Sequence, residues 1–301
     1  MNEICCIGHI TLDKVVTPDK TVHMAGGTSI YFSNAVRRLD LRYQLVTMLA
    51  KKEMRFVDEL REKGIDVELA SISAYTVNFE NTYSRNQDHR TQRVLQHSDP
   101  FTIDQLKQVD AQIYHLGPLL ADDIPVELIK TLAGRGKVSL DVQGYLRRLV
   151  GEQVCLTDWA EKREALKFVH ILKANESEME ALTGLNDVHQ AAAILFEWGV
   201  KEIVITLGSK GSVIYDGSRF YLIPAYRPLT SVVDATGCGD TYMAGYLYRR
   251  LRGAGFQEAG EFAAAIATLK IESSGPFDGR EQDIYDLLNN CSLQVEDYPI
   301  D

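Results

Sequence analysis

One segment of the sequence combines a glycine turn with an aspartate, over Asp234-Ala-Thr-Gly-Cys-Gly-Asp240-Thr-Tyr-Met-Ala-Gly245. A short strand is predicted at 231–233, and apolar residues at every fourth position after the turn predict a helix. A glycine-rich helix start favours phosphate, because its free N–H groups and the positive end of the helix dipole both attract anions. Asp240 would either cap this helix or accept the proton of a hydroxyl that attacks a bound phosphate.

Other candidate residues follow other predicted strands: Asp13, Gly26, Gly27, Asn175, Glu178, Gly208 and Gly211. Each has a purely structural alternative, since glycine pairs form turns and Asn175 with Glu178 forms a helix capping box. Ligands of an open α/β sheet bind at the carboxyl ends of its strands. The joint placement of these residues therefore predicts one shared site at that edge.

The elements that position these residues alternate between strand and helix from residue 101 onward. This order predicts an α/β fold with a mainly parallel sheet and helices on both faces, within a single domain over 1–301. The segments at about 11–25 and 65–99 alternate instead, which predicts a small β appendage with one wet face. Pro18-Asp19 predicts a turn within it.

Composition is that of a globular protein, with 301 residues, 45% hydrophobic and 25% charged side chains and a formal charge of -10. The acidic balance argues against a nucleic-acid partner, because phosphate backbones are bound through excess Lys and Arg. There is no long apolar run for a membrane span and no signal-peptide pattern at the start.

The cysteines Cys5, Cys6, Cys155, Cys238 and Cys291 are odd in number and include no Cys-x-x-Cys pair. This usage predicts a reducing, cytoplasmic location without a disulfide framework or structural zinc. Adjacent Cys5 and Cys6 are expected on opposite faces of a strand. His9, His115 and His170 are expected to pack or hydrogen-bond beside strands rather than to bind metal. The Walker A loop and the Gly-x-Gly-x-x-Gly fingerprint are absent from the sequence.

The segment from Asp234 to Gly245 resembles the C-terminal signature of the ribokinase-like or PfkB carbohydrate kinases, Asp-Thr-x-Gly-Ala-Gly-Asp-Thr-Phe-x-Ala-Gly. Four weaker matches occur in the family's order, at Gly8–Asp13, Gly26-Gly27, Asn175-x-x-Glu178 and Thr206–Gly211. The resemblance runs from about residue 4 to about residue 275. It implies the three-layer α/β/α ribokinase-like fold, with the β appendage as a lid over the sugar.

The resemblance also implies an ATP-dependent kinase of a sugar or polyol hydroxyl. Asp240 would be the general base, and the backbone N–H groups of Gly237, Cys238 and Gly239 would form the anion hole. Such parts suit phosphoryl transfer, which depends on positioning and charge stabilisation.

The ATP site would be lined by Thr206, Gly208 and Gly211. Asn175 and Glu178 would orient Mg²⁺ and its waters near the phosphates.

The small-molecule acceptor would be held by Asp13, Gly26 and Gly27. Asp234 and Thr236 match positions that in some relatives help bind a monovalent cation such as K⁺. The lid, as an exposed β sheet, also invites pairing into a homodimer.

Departures from the family pattern concern the substrate. Tyr31 stands where ribokinases have an Asn that touches the sugar, Asp40 replaces a Gly, and the adenine-side Asn is absent from Phe262-Ala-Ala-Ala265. The segment Asp141-Val-Gln-Gly-Tyr-Leu-Arg147 resembles inositol-kinase-like branches. A nucleoside, inositol or vitamin kinase, or a non-catalytic sugar- or nucleotide-binding relative, are the alternatives.

Overall fold

The computed structural model describes residues 1–16, 21–83 and 90–290. Within these residues the chain forms fifteen strands and nine helices. The strands are β1 (Asn2–Ile7), β2 (Thr11–Val16), β3 (Thr21–Gly26), β4 (Tyr43–Ala50), β5 (Asp66–Ser73), β6 (Val77–Tyr83), β7 (Arg90–Gln96), β8 (Ala111–Leu116), β9 (Lys137–Asp141), β10 (Arg147–Val150), β11 (Gln153–Leu156), β12 (Ile171–Asn175), β13 (Glu202–Thr206), β14 (Ser212–Tyr215) and β15 (Phe220–Ile223). The helices are α1 (Thr28–Val36), α2 (Arg55–Glu62), α3 (Val126–Ala133), α4 (Lys162–Ala165), α5 (Glu176–Thr183), α6 (Val188–Glu197), α7 (Cys238–Leu251), α8 (Phe256–Ile271) and α9 (Glu281–Asn290).

A central sheet joins nine of the described strands in the order β15-β14-β13-β12-β9-β8-β1-β4-β5. From β5 to β13 every neighbouring pair is parallel, while β14 and β15 are antiparallel at one edge. The predicted mainly parallel sheet is confirmed. Its strands are apolar on both faces, as expected where helices cover both sides.

The helices form a layer on each face of this sheet, as the two neighbouring cysteines of β1 show. Cys6 belongs to a buried cluster that includes residues of α1, α2, α7, α8 and α9. Cys5 belongs to a second cluster, which includes residues of α3, α5 and α6. Successive side chains of a strand point to opposite faces. The predicted three-layer α/β/α architecture is therefore present.

A second sheet has the strand order β10-β11-β7-β6-β2-β3. It contains the predicted appendage strands near 11–25, but the predicted segment 65–99 is divided. β5 pairs in parallel with β4 and belongs to the central sheet, so its place in the appendage was wrong. β5 alternates because it is an edge strand, with Val67 buried and its neighbours facing outward. The hairpin β10–β11 also belongs to the second sheet and was not predicted. The predicted turn at Pro18-Asp19 lies outside the described residues.

The predicted strand at 231–233 does not form. Val232 and Val233 are exposed, and the N–H of Val233 donates to the carbonyl of Ile271 at 2.7 Å. β-branched residues favour strands only where a neighbouring strand or a packed face supports them. Here the segment is instead an extended loop that leads into α7.

Among the described helices, none has the length and apolar character needed to cross a membrane.

Candidate active site

The carboxyl ends of the parallel strands open into a cavity of about 280 Å³. Four groups of residues line it: the start of α7 with the loop before it, the start of α1, one face of the second sheet, and polar side chains at the ends of β9, β12 and β13. The predicted location of the site, at the carboxyl edge of the sheet, agrees with this cavity.

Asp240 lies in the first turn of α7 and lines the cavity. The helix is capped by the backbone of Gly237, which has a left-handed conformation with φ 76°, and no side chain caps it. The alternative in which Asp240 is a helix cap is therefore wrong. Its carboxylate instead accepts a hydrogen bond from Thr28.

Burial raises the pKa of Asp240 from 3.8 to about 6, and the negative charge of Asp141 adds to the rise. The hydrogen bond from Thr28 and the charges of Lys173 and Arg147 act in the opposite direction. A carboxylate with a pKa near 6 is mostly ionised at neutral pH and holds a proton more readily than an ordinary aspartate. These are the properties of a general base that works near pH 7.

Gly237 and Gly239 line the cavity with the backbone of the loop, but Cys238 does not. The N–H of Cys238 donates to the carbonyl of Ala235 at 3.2 Å, and its Sγ lies 3.9 Å from the carbonyl of Ala267. Burial raises the pKa of the Cys238 thiol to about 12. A neutral, inward-facing thiol fills the tight turn and lacks the character of a nucleophile.

The second sheet presents alternating residues to the cavity. Thr11, Asp13, Phe79, Asn81 and Gln92 all line it. Asp13 is the register partner of Phe79, and Asn81 is the register partner of Gln92. The Gln92 side-chain amide donates to the Asn81 amide oxygen at 2.9 Å. Of these five residues only Asp13 was predicted; the strict alternation of the strands is the signal that points to the others.

The two predicted glycines have different positions. Gly27 lines the cavity and caps α1, with φ 81°. Gly26 is buried beside the carboxylate of Asp13, and a Cβ there would lie 2.5 Å from Asp13 Oδ2. Gly26 thus makes room for Asp13 and does not itself line the cavity.

Tyr31, which the sequence places on the substrate side, lines the cavity from α1. Its ring is buried, and its hydroxyl has no hydrogen-bond partner among the described residues. A buried hydroxyl without a partner is uncommon in folded proteins.

Lys173 is a buried lysine near the end of β12 that the sequence prediction missed. Its Nζ lies 3.0 Å from Asp141 Oδ2 and 3.6 Å from Glu178 Oε2. Burial opposes the charge, but the two carboxylates outweigh it and raise the pKa of Lys173. A Cβ on Gly239 would lie 3.1 Å from the same Nζ, so this cation stands directly beside the glycine loop. A lysine inside an otherwise apolar strand was the available signal.

Asn175 and Glu178 form the capping box of α5. The Glu178 N–H donates to Asn175 Oδ1 at 2.9 Å, and the Asn175 N–H donates to Glu178 Oε2 at 2.8 Å. The structural alternative is thus confirmed for this pair. Asn175 also lines the cavity.

Glu178 fits an indirect magnesium role better than a direct one. Both of its carboxylate oxygens accept hydrogen bonds, the second from the Gln143 side chain at 3.2 Å. Mg²⁺ usually keeps several waters and binds through few carboxylates plus substrate phosphates. The described residues contain no cluster of three His, Cys, Asp or Glu side chains that would hold a metal ion on its own.

The remaining predicted residues divide between the cavity and the loops behind it. Thr206 and Thr236 line the cavity. Gly208 and Gly211 form the turn after β13, outside the cavity lining. Asp234 does not line the cavity, and its carboxylate accepts a hydrogen bond from the Thr236 N–H at 2.9 Å.

The three singled-out histidines have structural partners. His9 Nε2 contacts the carbonyl of Asp99 at 2.9 Å, His115 Nδ1 contacts Ser139 Oγ at 3.0 Å, and His170 Nδ1 accepts from the Val138 N–H at 3.2 Å. The structural interpretation of these side chains is confirmed.

Comparison with known proteins places this chain among a group of kinases. The profile of the pfkB family carbohydrate kinases matches residues 1–282. A cytidine kinase of Thermococcus kodakarensis is 28% identical over 266 residues, which cover 86% of this chain and 92% of that protein.

Two solved structures are similar over nearly the whole chain. A pyrophosphate-dependent kinase in the ribokinase family, complexed with a pyrophosphate analog and myo-inositol, has a TM-score of 0.85 and 27% identity, covering 94% of this chain and 99% of that chain. Arabidopsis thaliana ribokinase, complexed with ribose and ATP, has a TM-score of 0.79 and 22% identity, covering 96% of this chain and 99% of that chain. These likenesses confirm the predicted ribokinase-like fold.

Proposed function

From the premise that the chain belongs to the pfkB family of carbohydrate kinases, and is thus a kinase with a hydroxyl acceptor, we propose that it transfers a phosphoryl group from ATP to a sugar or polyol. One observation carries this proposal. Asp240 lies in a single cavity with the polar face of the second sheet and with Lys173, Asn175 and Thr206. The cavity thus offers an acceptor side and a donor side, with the candidate base beside both.

In the proposed reaction, Asp240 accepts the proton of the acceptor hydroxyl as its oxygen attacks the terminal phosphorus of the donor. The P–O bond to the leaving phosphate breaks, and the donor leaves as ADP. The raised pKa of Asp240 supports this role. A carboxylate with a pKa of about 6 is mostly ionised at pH 7, yet it accepts a proton more readily than an ordinary aspartate.

The proposed anion hole for the transferred phosphoryl consists of backbone N–H groups in the loop Gly237–Gly239. Gly237 and Gly239 line the cavity, which supports their part. The N–H of Cys238 already donates to Ala235, so its contribution requires that this bond lengthen or be shared. Lys173, beside Gly239, adds a fixed positive charge where the negative charge of the donor would lie.

On the donor side we propose Asn175 and Thr206, both of which line the cavity, with Gly208 and Gly211 shaping the turn beyond them. Glu178 and Asn175 would hold the waters of Mg²⁺. Held there, Mg²⁺ would supply positive charge that neutralises part of the charge of the donor phosphates. The Asn175–Glu178 capping box holds both side chains in fixed positions for this purpose.

On the acceptor side we propose that Asp13, Asn81 and Gln92 hydrogen-bond the hydroxyl groups, with Gly27 and Tyr31 completing the wall. The second sheet would then act as the lid that excludes water from the donor phosphate. Its edge strands β3 and β10 are also the surfaces through which we propose a homodimer, to be checked by sedimentation of the purified protein.

A second candidate is a pyrophosphate-dependent inositol kinase. It is favoured by the 27% identical structure with a pyrophosphate analog and myo-inositol, and by the cations Lys173 and Arg147 in the cavity wall. The resemblance of 141–147 to inositol-kinase-like branches supports the same acceptor. The cytidine kinase relative makes a nucleoside the third acceptor to test.

The test is a matrix of donors and acceptors. MgATP and magnesium pyrophosphate are each incubated with ribose, fructose, myo-inositol and cytidine, and phosphorylated product is measured by ³¹P NMR. We expect product with MgATP and at least one sugar or polyol, and at least about 10²-fold slower formation with the Asp240→Asn variant. Product only with pyrophosphate would show that pyrophosphate, not ATP, is the donor. Product only with cytidine would show that the acceptor is a nucleoside. No product in any mixture would favour a binding protein.

A further inference from the structure

Lys270 is a fully buried lysine in the last turn of α8 that belongs to none of the cavity walls. Its Nζ donates to the backbone carbonyl of Asp234 at 2.7 Å and lies 3.6 Å from Asp234 Oδ2. It also lies 5.5 Å from the centre of the Tyr31 ring. An ammonium is almost never buried without partners of this kind. Here the carbonyl and carboxylate partners both come from Asp234, in the loop that carries the proposed anion hole.

The loop from Asp234 to Gly239 is attached to the end of α8 at several points. The N–H groups of Val233 and Asp234 donate to the carbonyl of Ile271 at 2.7 and 3.2 Å, and Cys238 Sγ approaches the carbonyl of Ala267. The carboxyl end of a helix carries partial negative charge and favours a cation. Lys270 therefore lies where a carbonyl, a carboxylate and a helix end all attract positive charge.

A monovalent cation bound at Asp234 and Thr236 would need the same carbonyl, carboxylate and helix end that surround Lys270. The Asp234 oxygens are the oxygen ligands for such an ion, but Lys270 already holds them. An additional K⁺ at this point would face the ammonium at short range, and like charges in a buried site repel strongly. The residues present thus do not fit a separate monovalent cation.

We propose that the Lys270 ammonium replaces a monovalent cation and keeps the anion-hole loop in position, so that the protein needs neither K⁺ nor Na⁺. Lys270 is a positioning residue in this proposal. It acts through the carbonyl of Asp234 and through the ring of Tyr31, which packs on Gly237. The proposal rests on the proposed kinase function only for its catalytic consequence.

The first experiment compares the wild-type protein in KCl, NaCl and choline chloride of equal ionic strength. We expect the same melting temperature and, with the active donor and acceptor from the matrix above, the same kcat in all three salts. A rise of either quantity that is specific to K⁺ or Na⁺ would overturn the proposal. The melting arm needs no turnover, so it remains informative if the kinase assignment fails.

The second experiment compares Lys270→Ala with Lys270→Met. Lys270→Ala opens a site with free oxygen ligands, whereas Lys270→Met fills the same volume without charge. We expect kcat to fall by about 10- to 100-fold in both variants, because the loop is no longer held in place. Methylammonium or K⁺ should restore most of the activity of Lys270→Ala and raise its melting temperature, and should leave Lys270→Met unchanged.

Two results would contradict a cation-like role. If Lys270→Met were as active as wild type, the charge would be dispensable and the lysine would serve only as filling. If Lys270→Ala folded but responded identically to K⁺, methylammonium and choline, the site would not bind cations. Should Lys270→Ala fail to fold, the salt response of the wild-type melting temperature still decides the proposal.

Discussion

The ring of Tyr31 lies directly against the backbone of Gly237, so that a Cβ on this glycine would overlap the ring. Gly237 has φ 76°, a left-handed conformation that a side chain disfavours even without a neighbour. The contact joins α1, on the proposed acceptor side, to the loop that begins α7. It explains why the first glycine of the turn is required for two separate reasons.

Gly237→Ala is expected to destabilise the protein by about 2–5 kcal/mol, of which about 1–2 kcal/mol comes from φ and the rest from overlap with Tyr31. Gly64→Ala is the matched control, since Gly64 has φ 84° but nothing within 4 Å of its Cβ position. The control should lose only the φ contribution. Urea unfolding of both variants measures the difference, and equal losses would show that the ring contact has no effect.

Asp240→Asn is expected to reduce kcat by about 10²–10⁴-fold, because the amide cannot accept the proton of the acceptor hydroxyl. The fold and donor affinity should remain, since no side chain caps α7. Asp187→Asn makes the same chemical change at the N-cap of α6, where asparagine caps equally well. Near-normal turnover of Asp240→Asn would show that another group is the base.

The sequence predicts those parts of the fold that depend on local pattern. The parallel strands, the glycine turn at the start of α7 and the opposite faces of Cys5 and Cys6 follow from spacing that the chain itself carries. The position of β5 in the central sheet cannot be predicted from local spacing, because an edge strand of that sheet alternates in the same way as a strand of the appendage. The predicted strand at 231–233 fails because no neighbouring strand is there to pair with it.

The candidate site shows the same division. Asp240, Gly237 and Asn175 follow strands or begin helices, so motif and position identify them. Lys173 and Lys270 belong to no such motif. A lysine inside an otherwise apolar strand was the signal for Lys173, but the carboxylates and carbonyls that surround both lysines are seen only in the fold. Those partners come from distant parts of the sequence.

Asn81→Leu and Gln92→Leu are expected to raise the acceptor KM by about 10- to 100-fold each, since one lost hydrogen bond leaves a polar partner unsatisfied. The donor KM should change little, because both residues lie on the second sheet. Gln112→Leu, at an exposed position of β8, is the control for the substitution itself. Initial rates with each substrate varied in turn separate the two constants, and a rise in the donor KM alone would reverse the assignment of the cavity sides.

Lys173→Met is expected to destabilise the protein by about 3–5 kcal/mol, because it leaves the buried carboxylates of Asp141 and Glu178 without their cation. Donor affinity should fall as well. Lys210→Met, which removes an exposed lysine 3.6 Å from Glu176, should change stability by less than about 1 kcal/mol. Denaturant unfolding and titration with MgATP or magnesium pyrophosphate measure the two effects, and a stable Lys173→Met variant would mean that the carboxylates protonate or find other partners.

The pH dependence of turnover provides the most direct test of the environment of Asp240. Its pKa of about 6 predicts that kcat/KM falls about tenfold per pH unit below that value, as the base becomes protonated. Asp141→Asn removes a neighbouring negative charge and also leaves Lys173 free to attract Asp240. Both changes lower the pKa, so the acid limb of the profile should move to lower pH.

The contribution of Asp240 to stability should change with pH in the opposite direction to turnover. The folded protein holds the Asp240 proton more tightly than the unfolded chain, whose aspartate has a pKa near 3.8. The contribution of this residue to stability therefore increases as pH falls from about 6 towards 4, and Asp240→Asn removes that increase. Melting temperatures of wild type and Asp240→Asn across this range give the difference between them. A constant difference, together with an acid limb near pH 4 in the rate profile, would show that Asp240 titrates as an ordinary exposed carboxylate and would remove the electrostatic support for its role as the base.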